Sequence, residues 1–496
     1  MSDLFSQRTV YRCLLIFCIF HVLVWTISCA AWYPHPPQDA LEGVMWGQMW
    51  LWGYNKHPFL APWLTAGISE LFGVVGWPIY LLGQLAVALC FWLVFELGRR
   101  MMPAWRALLG VIMLEMVVYY NYQASNFNPN VAMLPLWAWM ILSFYLALTL
   151  NRWRDWLLLG LATGLAVDAK YQSGLLVMVF VLFALLTPSL WRVLANKKTY
   201  VAGLIALLVF LPNFIWLASH QFMAVTYAMG ELGETTDPVS FLLNQCVTLL
   251  PMLLLYVPFL RGRASFDVAR FDRYFLWWMS LGALVLTLAM AVFGHAHLQK
   301  TWAYPYFSTL GLLWVASLKP VVTLRRLKIL AVLLCVWAVL GFSAIGLYYH
   351  VIVPAKKINN PPRNTLPGER IARAVSGLWF GQFHVPMKYV AGSYGVLVDL
   401  SAYIPSKPKA YFGLSTDSSP WVRDADFRQQ GGAVVVWLNY SPGSKQAEID
   451  SIKKRYPRIC GAQEMIFPRD LAKKAPPVKL WVAFLPPKGQ RCTLME

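Results

Sequence analysis

The run YRCLLIFCIFHVLVWTISCAAWY, residues 11–33, contains no acidic residue, and its single arginine, Arg12, stands at its start. A helix needs about 20 mostly apolar residues to cross a bilayer, and this run supplies them. Its end, Ser28-Cys29-Ala30-Ala31, has the small residues of a signal-peptide cleavage site, but the apolar stretch is longer than a signal core. It is therefore read as a retained first span. Comparable runs follow near 77–97, 104–122, 131–150, 155–168, 173–190, 199–218, 239–260, 274–294, 301–318 and 329–350. The fold expected is a polytopic α-helical membrane protein with about 11 transmembrane helices. Composition agrees: 58% of the 496 residues are hydrophobic and 13% charged, with mean hydropathy +0.52. A soluble globular chain carries roughly a quarter charged residues, so a soluble single-core enzyme and a disordered or fibrous chain are both excluded.

The net charge of +19 would suggest nucleic acid in a soluble protein. Here its distribution explains it. With the N-terminus and every second loop placed in the cytoplasm, those segments hold eighteen Lys and Arg, from Arg8 to Lys328. The opposite loops hold only Lys56, Lys170 and Lys300. That asymmetry is the signature of a multi-pass bacterial inner-membrane protein with a cytoplasmic N-terminus, and no nucleic-acid partner is expected. The eight cysteines show no metal-binding spacing; six lie in apolar runs as small buried hydrophobes.

The chain divides into a membrane region, 1–350, whose long first outside loop is 34–76, and a polar tail, 351–496, punctuated by Pro361-Pro362, Pro386, Pro405 and Pro408. In the tail, strand-like runs at 388–391, 410–412, 433–438 and 480–485 alternate with helical stretches near 393–403, 421–429 and 445–456, a small α/β domain. Parity of the spans puts it in the periplasm, where Cys460 and Cys492 can form disulfides; whether they pair is not fixed by the sequence.

With so few charges outside, those present are informative. The first loop reads Tyr33-Pro34-His35-Pro36-Pro37-Gln38-Asp39-Ala40-Leu41-Glu42, a proline-started helix with carboxylates in its first turn. Leu41, Met45, Met49 and Trp52 recur at helical spacing, which predicts an amphipathic helix in the interface over 39–52. Asp39 and Glu42 would share a face, either as functional carboxylates or as plain complements to the helix dipole. The loop continues Gly53-Tyr54-Asn55-Lys56-His57-Pro58, where Lys56 and His57 are either ligand-binding or interfacial anchors. The second loop, Tyr119 to Asn130, is uncharged and rich in tyrosine and amide groups that hydrogen-bond sugars. Lys170, beside Asp168 and Tyr171, is an ionisable residue at the membrane boundary and a functional candidate, with a snorkelling or ion-paired lysine as the plain alternative. His220 stands in the fourth loop. His295 and His297, two apart in the fifth beside Lys300, have the wrong spacing for one helical face. The helix interiors carry almost no ionisable groups beyond Glu96 and Glu115, and no internal repeat is evident. A site at the outer interface fits this better than a conduit.

These segments resemble the dolichyl-phosphate-mannose protein mannosyltransferase-like family, glycosyltransferase family 39, which includes the lipid A aminoarabinose transferase. The resemblance rests on Asp39 and Glu42, the run Gly53 to Leu60 leading to Trp63-Leu64, and Ser125-Asn126-Phe127-Asn128 through Trp137. It continues in Gly160 to Leu165 with Lys170-Tyr171, Pro212-Asn213-Phe214-Ile215-Trp216 before His220, and Trp302-Ala303-Tyr304-Pro305. It implies a C-type glycosyltransferase with a polyprenyl-phosphate sugar donor, Asp39 as base or metal-associated acid, and Lys56 or His57 with Lys170 near the donor phosphate. Lys300 is added as a further phosphate candidate. Tyr54, Asn126, Asn128, Asn130, Tyr171 and His220 are the candidates for sugar or acceptor contacts. Two departures stand out. Lys56-His57 replaces an acid–lysine pair before the proline, and Asn128 or Asn130 occupies the place of a second-loop aspartate. Asp39, or Glu42, is then the main carboxylate, and a divalent metal is left open.

The residues suit that chemistry. A lipid phosphate departs without a general acid, so the step needs a carboxylate to take the acceptor proton and cations to hold the phosphate charge. Attack opposite the phosphate inverts the anomeric centre. The expectation is transfer from an undecaprenyl-phosphate-type sugar to a lipid, glycan or protein acceptor on the periplasmic side. The alternative is a polyprenyl-linked-sugar transporter or flippase without catalysis.

Overall fold

A computed structural model describes residues 6–231, 237–259, 267–294, 298–358, 360–439 and 445–493. The chain forms two compact units. The first comprises Met1–Ala30, Trp52–Ala61 and Ile79–Ser343; the second comprises Ala31–Leu51, Pro62–Pro78 and Ala344–Glu496. The sequence-order division at residue 350 is therefore not the packing division, because two pieces of the 34–76 loop region group with the tail.

Along the chain run α1 (Gln7–Trp32), α2 (Gln38–Gly47), α3 (Leu60–Phe72), α4 (Trp77–Met101), α5 (Ala104–Met113), α6 (Pro129–Leu150), α7 (Trp153–Ala169), α8 (Gly174–Leu185), one-turn α9 (Trp191–Leu194), α10 (Lys197–Ser219), α11 (Met223–Glu231), α12 (Pro238–Tyr256), α13 (Arg270–Gly294), α14 (Leu310–Ser317) and α15 (Leu324–Leu347). Among the described residues, seven helical segments are long and apolar enough to cross a membrane: 7–32, 77–101, 129–150, 197–219, 238–259, 270–294 and 324–355. The other four expected runs form the shorter helices α5, α7, α8 and α14.

The run 104–122 stops being α-helical at Met113 and continues as three 3₁₀ turns to Ser125. Buried polar groups explain the break. Glu115 accepts from Trp25 Nε1 at 2.6 Å and lies 2.7 Å from His21 Nδ1, while Asn121 Nδ2 donates to the Glu115 and Val117 carbonyls at 3.1 Å. Gln84 Nε2 donates to the Asn121 carbonyl and to Ser125 Oγ. Backbone freed from helix inside a membrane region needs such partners.

Elsewhere small residues set the packing. Gly160 and Gly164, four apart on α7, let α10 approach so closely that a Cβ at Gly160 would lie 2.4 Å from the Ala202 carbonyl oxygen.

In the second unit, short α16 (Val353–Ala355), α17 (Gly368–Phe383), α18 (Tyr394–Tyr403), α19 (Asp424–Gln430) and α20 (Gln446–Arg455) surround strands β1 (Tyr389–Gly392), β2 (Lys409–Phe412), β3 (Gly432–Trp437), β4 (Cys460–Phe467) and β5 (Val478–Leu485). The sheet order is β2-β1-β3-β5-β4. β1 is parallel to β2 and β3, with Val390 opposite Ala410 and Ala433; β5 is antiparallel to β3 and β4. Ala391, Tyr411, Val434, Val436 and Ala483 pack with Phe427, Ile449, Ile452 and Tyr456 on one face. Four of the five strands fall where the tail pattern predicts them; β4 and α17 are additional.

The interfacial helix expected over 39–52 is corrected to α2, which is shorter and buried from Ala40 to Gly47. It packs on α18 and closely on α3, where a Cβ at Gly43 would lie 2.8 Å from Thr65 Oγ1. A helix covered all round has no free face for lipid.

Cys460 and Cys492 form a disulfide. Closing a loop of this length confines the unfolded chain, so Cys460→Ser is expected to cost the sheet about 2–5 kcal/mol. Faster hydrogen exchange of the β4 and β5 amides in the variant would show it; unchanged exchange would count against it.

Candidate active site

In the first unit, the segment between Trp52 and Phe59 folds as a tight turn. The Gly53 and Pro58 backbones pair antiparallel, and Tyr54 N donates to the His57 carbonyl at 3.0 Å. Glycine is required at its start: a Cβ on Gly53 would lie 2.3 Å from Trp216 Cε3 of α10. Asn213 of α10, fully buried, holds the turn by donating Nδ2 to the Trp52 carbonyl at 2.5 Å, and its Oδ1 accepts from Tyr171 Oη at 3.0 Å. Tyr54 is completely buried.

This turn carries Lys56 and His57, and the next turn of the site carries Lys170. Lys170 Nζ donates to Asn130 Oδ1 and lies 5.7 Å from the Trp302 ring. Lys56 Nζ is 5.6 Å from the Tyr227 ring. His57, enclosed and flanked by these cations, is held down to about 3, first by burial and then by the charges of Lys170 and Lys56. It is therefore a neutral imidazole at physiological pH, able to donate one N–H without adding charge. Because its folded value lies below the usual 6.5 or so, the neutral form's advantage is fully present above that pH. Stability is lost as pH falls from about 6.5 toward 3. NMR titration is expected to show no His57 ionisation between about pH 5 and 8; a midpoint near 6.5 would refute this reading of its surroundings.

The remaining uncharged candidates divide. Asn130 touches Lys170, and Tyr171 reaches Asn213. Asn128 is buried and caps α6, its Oδ1 accepting from Asn130 N at 2.9 Å and from Val131 N. That oxygen does the work of a helix N-cap. Asn126 is half-buried and follows the last 3₁₀ turn. His220 stacks on Trp216 with ring centroids 4.2 Å apart, and its Nδ1 lies 2.7 Å from the Trp216 carbonyl oxygen. Lys300 begins a 3₁₀ turn, Lys300–Ala303; its side chain lies outside the described residues, as do His295 and His297.

Several lining groups were not singled out as site residues. Gln172 Nε2 donates to the Trp302 carbonyl at 3.0 Å and to Tyr306 Oη. Tyr304 Oη donates to Gln123 at 2.8 Å, and its ring stacks 4.2 Å from Tyr119. Asn213 was legible: an amide within an otherwise apolar span is costly unless it has a task.

In the second unit, Asp39 stands exposed in the first turn of α2 and Glu42 is buried, accepting from Gln38 Nε2 at 2.9 Å. The segment leading into α2 is fastened by His35, whose Nε2 lies 2.6 Å from Asp470 Oδ2; Arg370 donates to the other Asp470 oxygen at 2.5 Å. Glu70 of α3 pairs with Lys407 at 2.7 Å. Among the described residues no cluster of three or more His, Cys, Asp or Glu side chains could hold a metal ion, so a divalent ion has no described ligand set.

Residues 56–216 match the family model described as dolichyl-phosphate-mannose-protein mannosyltransferase. The lipopolysaccharide core galacturonosyltransferase RgtA of Rhizobium johnstonii is 24% identical over 368 residues, 69% of this chain and 72% of that protein. Among solved structures, ArnT from Cupriavidus metallidurans, bound to undecaprenyl phosphate, superposes with a TM-score of 0.62 at 14% identity, covering 99% of this chain and 100% of ArnT. The resemblance read from the sequence thus holds. The chain has the C-type glycosyltransferase fold of a multi-pass membrane protein, with a small C-terminal sheet domain.

Proposed function

We propose that this protein transfers a sugar from a polyprenyl-phosphate donor of the undecaprenyl type to an acceptor at the periplasmic face of the bacterial inner membrane. The observation that carries this is the gathering of Lys170 with Lys56 and His57, the latter two on a buttressed turn: His57 feels both lysine charges, and Asn213 fixes the turn from α10. Two ammonium groups and one neutral N–H are suited to a phosphate whose charge grows as it leaves. ArnT, which shares the fold, is bound to undecaprenyl phosphate, and RgtA is named for sugar transfer to lipopolysaccharide core. Those names support the donor and a glycolipid acceptor here. The basic bias of alternate loops and the disulfide support an outward-facing tail.

In the proposed reaction Asp39 takes the proton of the acceptor hydroxyl as its oxygen bonds the anomeric carbon. The bond from that carbon to the phosphate oxygen breaks, and its electron pair stays on the polyprenyl phosphate. The phosphate gains one negative charge, which Lys56 and Lys170 neutralise and His57 hydrogen-bonds. The anomeric centre inverts.

The test is to incubate purified protein with a radiolabelled polyprenyl-phosphate sugar and an envelope glycolipid extract. Release of free polyprenyl phosphate with label appearing in the acceptor is expected. Movement of intact donor between leaflets without release would replace this reading by the flippase alternative.

A further inference from the structure

The sheet of the second unit changes direction. From β1 the chain passes through α18 to β2 on one side, whereas β3 lies on the other side of β1 and leads through α20 to β4 beyond β5. Connections leaving the carboxyl ends of neighbouring parallel strands in opposite directions open a crevice between them, the usual ligand position in an open α/β sheet. Here that crevice lies beyond Gly392 of β1 and Trp437 of β3.

Two arginines occupy its mouth. The Arg363 guanidinium is 5.4 Å from the Trp437 ring centroid and that of Arg469 is 5.8 Å from the same centroid. Arg363 donates Nη2 to the Gly395 carbonyl and to Asp399 Oδ2 at 2.7 Å, yet its buried Nε has no hydrogen-bond partner. Among the described residues Arg469 donates only Nε, to the Pro476 carbonyl at 3.3 Å, and has no carboxylate partner. Burial and then the charge of Arg363 pull Arg469 down to about 10. Two guanidinium groups against one carboxylate leave one excess positive charge, half-buried, with unused N–H donors. Such an arrangement is costly by itself and favourable once an oxyanion joins it.

We propose that this crevice is an oxyanion-binding site, in which Arg363 and Arg469 grip a carboxylate or phosphate group borne by an acidic glycan. The forked donors of arginine match both groups, and one excess charge suits a singly charged anion. The proposal does not depend on the transfer reaction above.

Isothermal titration of the full-length protein in detergent, at ionic strength held constant with chloride, tests it. The probes are glucuronate, inorganic phosphate and glucose. Saturable binding of glucuronate or phosphate, and none of glucose, is expected. Tighter binding of glucuronate supports a sugar-borne anion, and tighter binding of phosphate a free or ester phosphate. Arg469→Gln should weaken binding by about tenfold or more while unfolding at the same or a higher temperature without anion, because it relieves the repulsion. Arg458→Gln, which removes an exposed cation of the same domain, should bind as the unaltered protein does. Absence of saturable binding by either anion overturns the proposal, as does equal binding by Arg469→Gln.

Discussion

Replacing Asp39 with asparagine is expected to lower kcat by about 10²–10⁴-fold, the usual contribution of a positioned general base. Donor KM should stay unchanged. The side chain is exposed in the first turn of α2, so its neutralisation removes no core contact. Its interaction with the helix dipole is worth about 0.3–1 kcal/mol. An inactive protein that inserts and unfolds normally is the predicted outcome. Glu42→Gln gives the contrast: Glu42 is buried and bonded to Gln38, so that change should lower stability and activity together. Unaltered turnover by Asp39→Asn would remove Asp39 from the mechanism.

Replacing Lys170 with alanine should raise the donor KM by about 10–100-fold, the value of one charge-assisted hydrogen bond of about 1.5–3 kcal/mol. Acceptor KM should change little. Lys170 is oriented by Asn130 and by the Trp302 ring, so Asn130→Ala should reproduce part of the effect by loosening the ammonium. Kinetics with varied donor and varied acceptor separate the two. If acceptor use suffers more, Lys170 belongs to the acceptor side and the phosphate assignment fails.

The membrane helices were legible because hydropathy is local: the run 11–33 needs no partner to declare itself. The break after Met113 was not, because it depends on His21 and Trp25 reaching Glu115 from far along the chain. Lys56, His57 and Lys170 were found through charge scarcity, a local signal, whereas their buttress, Asn213 bonded to the Trp52 carbonyl, is a tertiary fact. Asn128 carried a second signal. An asparagine directly before Pro129 is an N-cap signal, which its place among amides obscured. In the tail, α17 was legible in principle, with Ile371, Val375, Trp379 and Phe383 four apart, all buried. β4 was not, since its exposed and half-buried residues show no clean alternation. His35 with Asp470, and α2 with α18, leave no trace in local pattern at all.

That last pairing bears on how the protein is made. A ribosome delivers α2 hundreds of residues before α18, the helix against which it packs. Nascent domains ordinarily finish in the order of synthesis; this unit cannot, since its opening and closing pieces interlock. The helix bearing the proposed base can pack on α3 soon after synthesis, but the side that α18 covers stays unmatched until α18 is made. A product interrupted before α18 would therefore lack a fully seated base, and synthesis through that helix becomes a precondition for turnover.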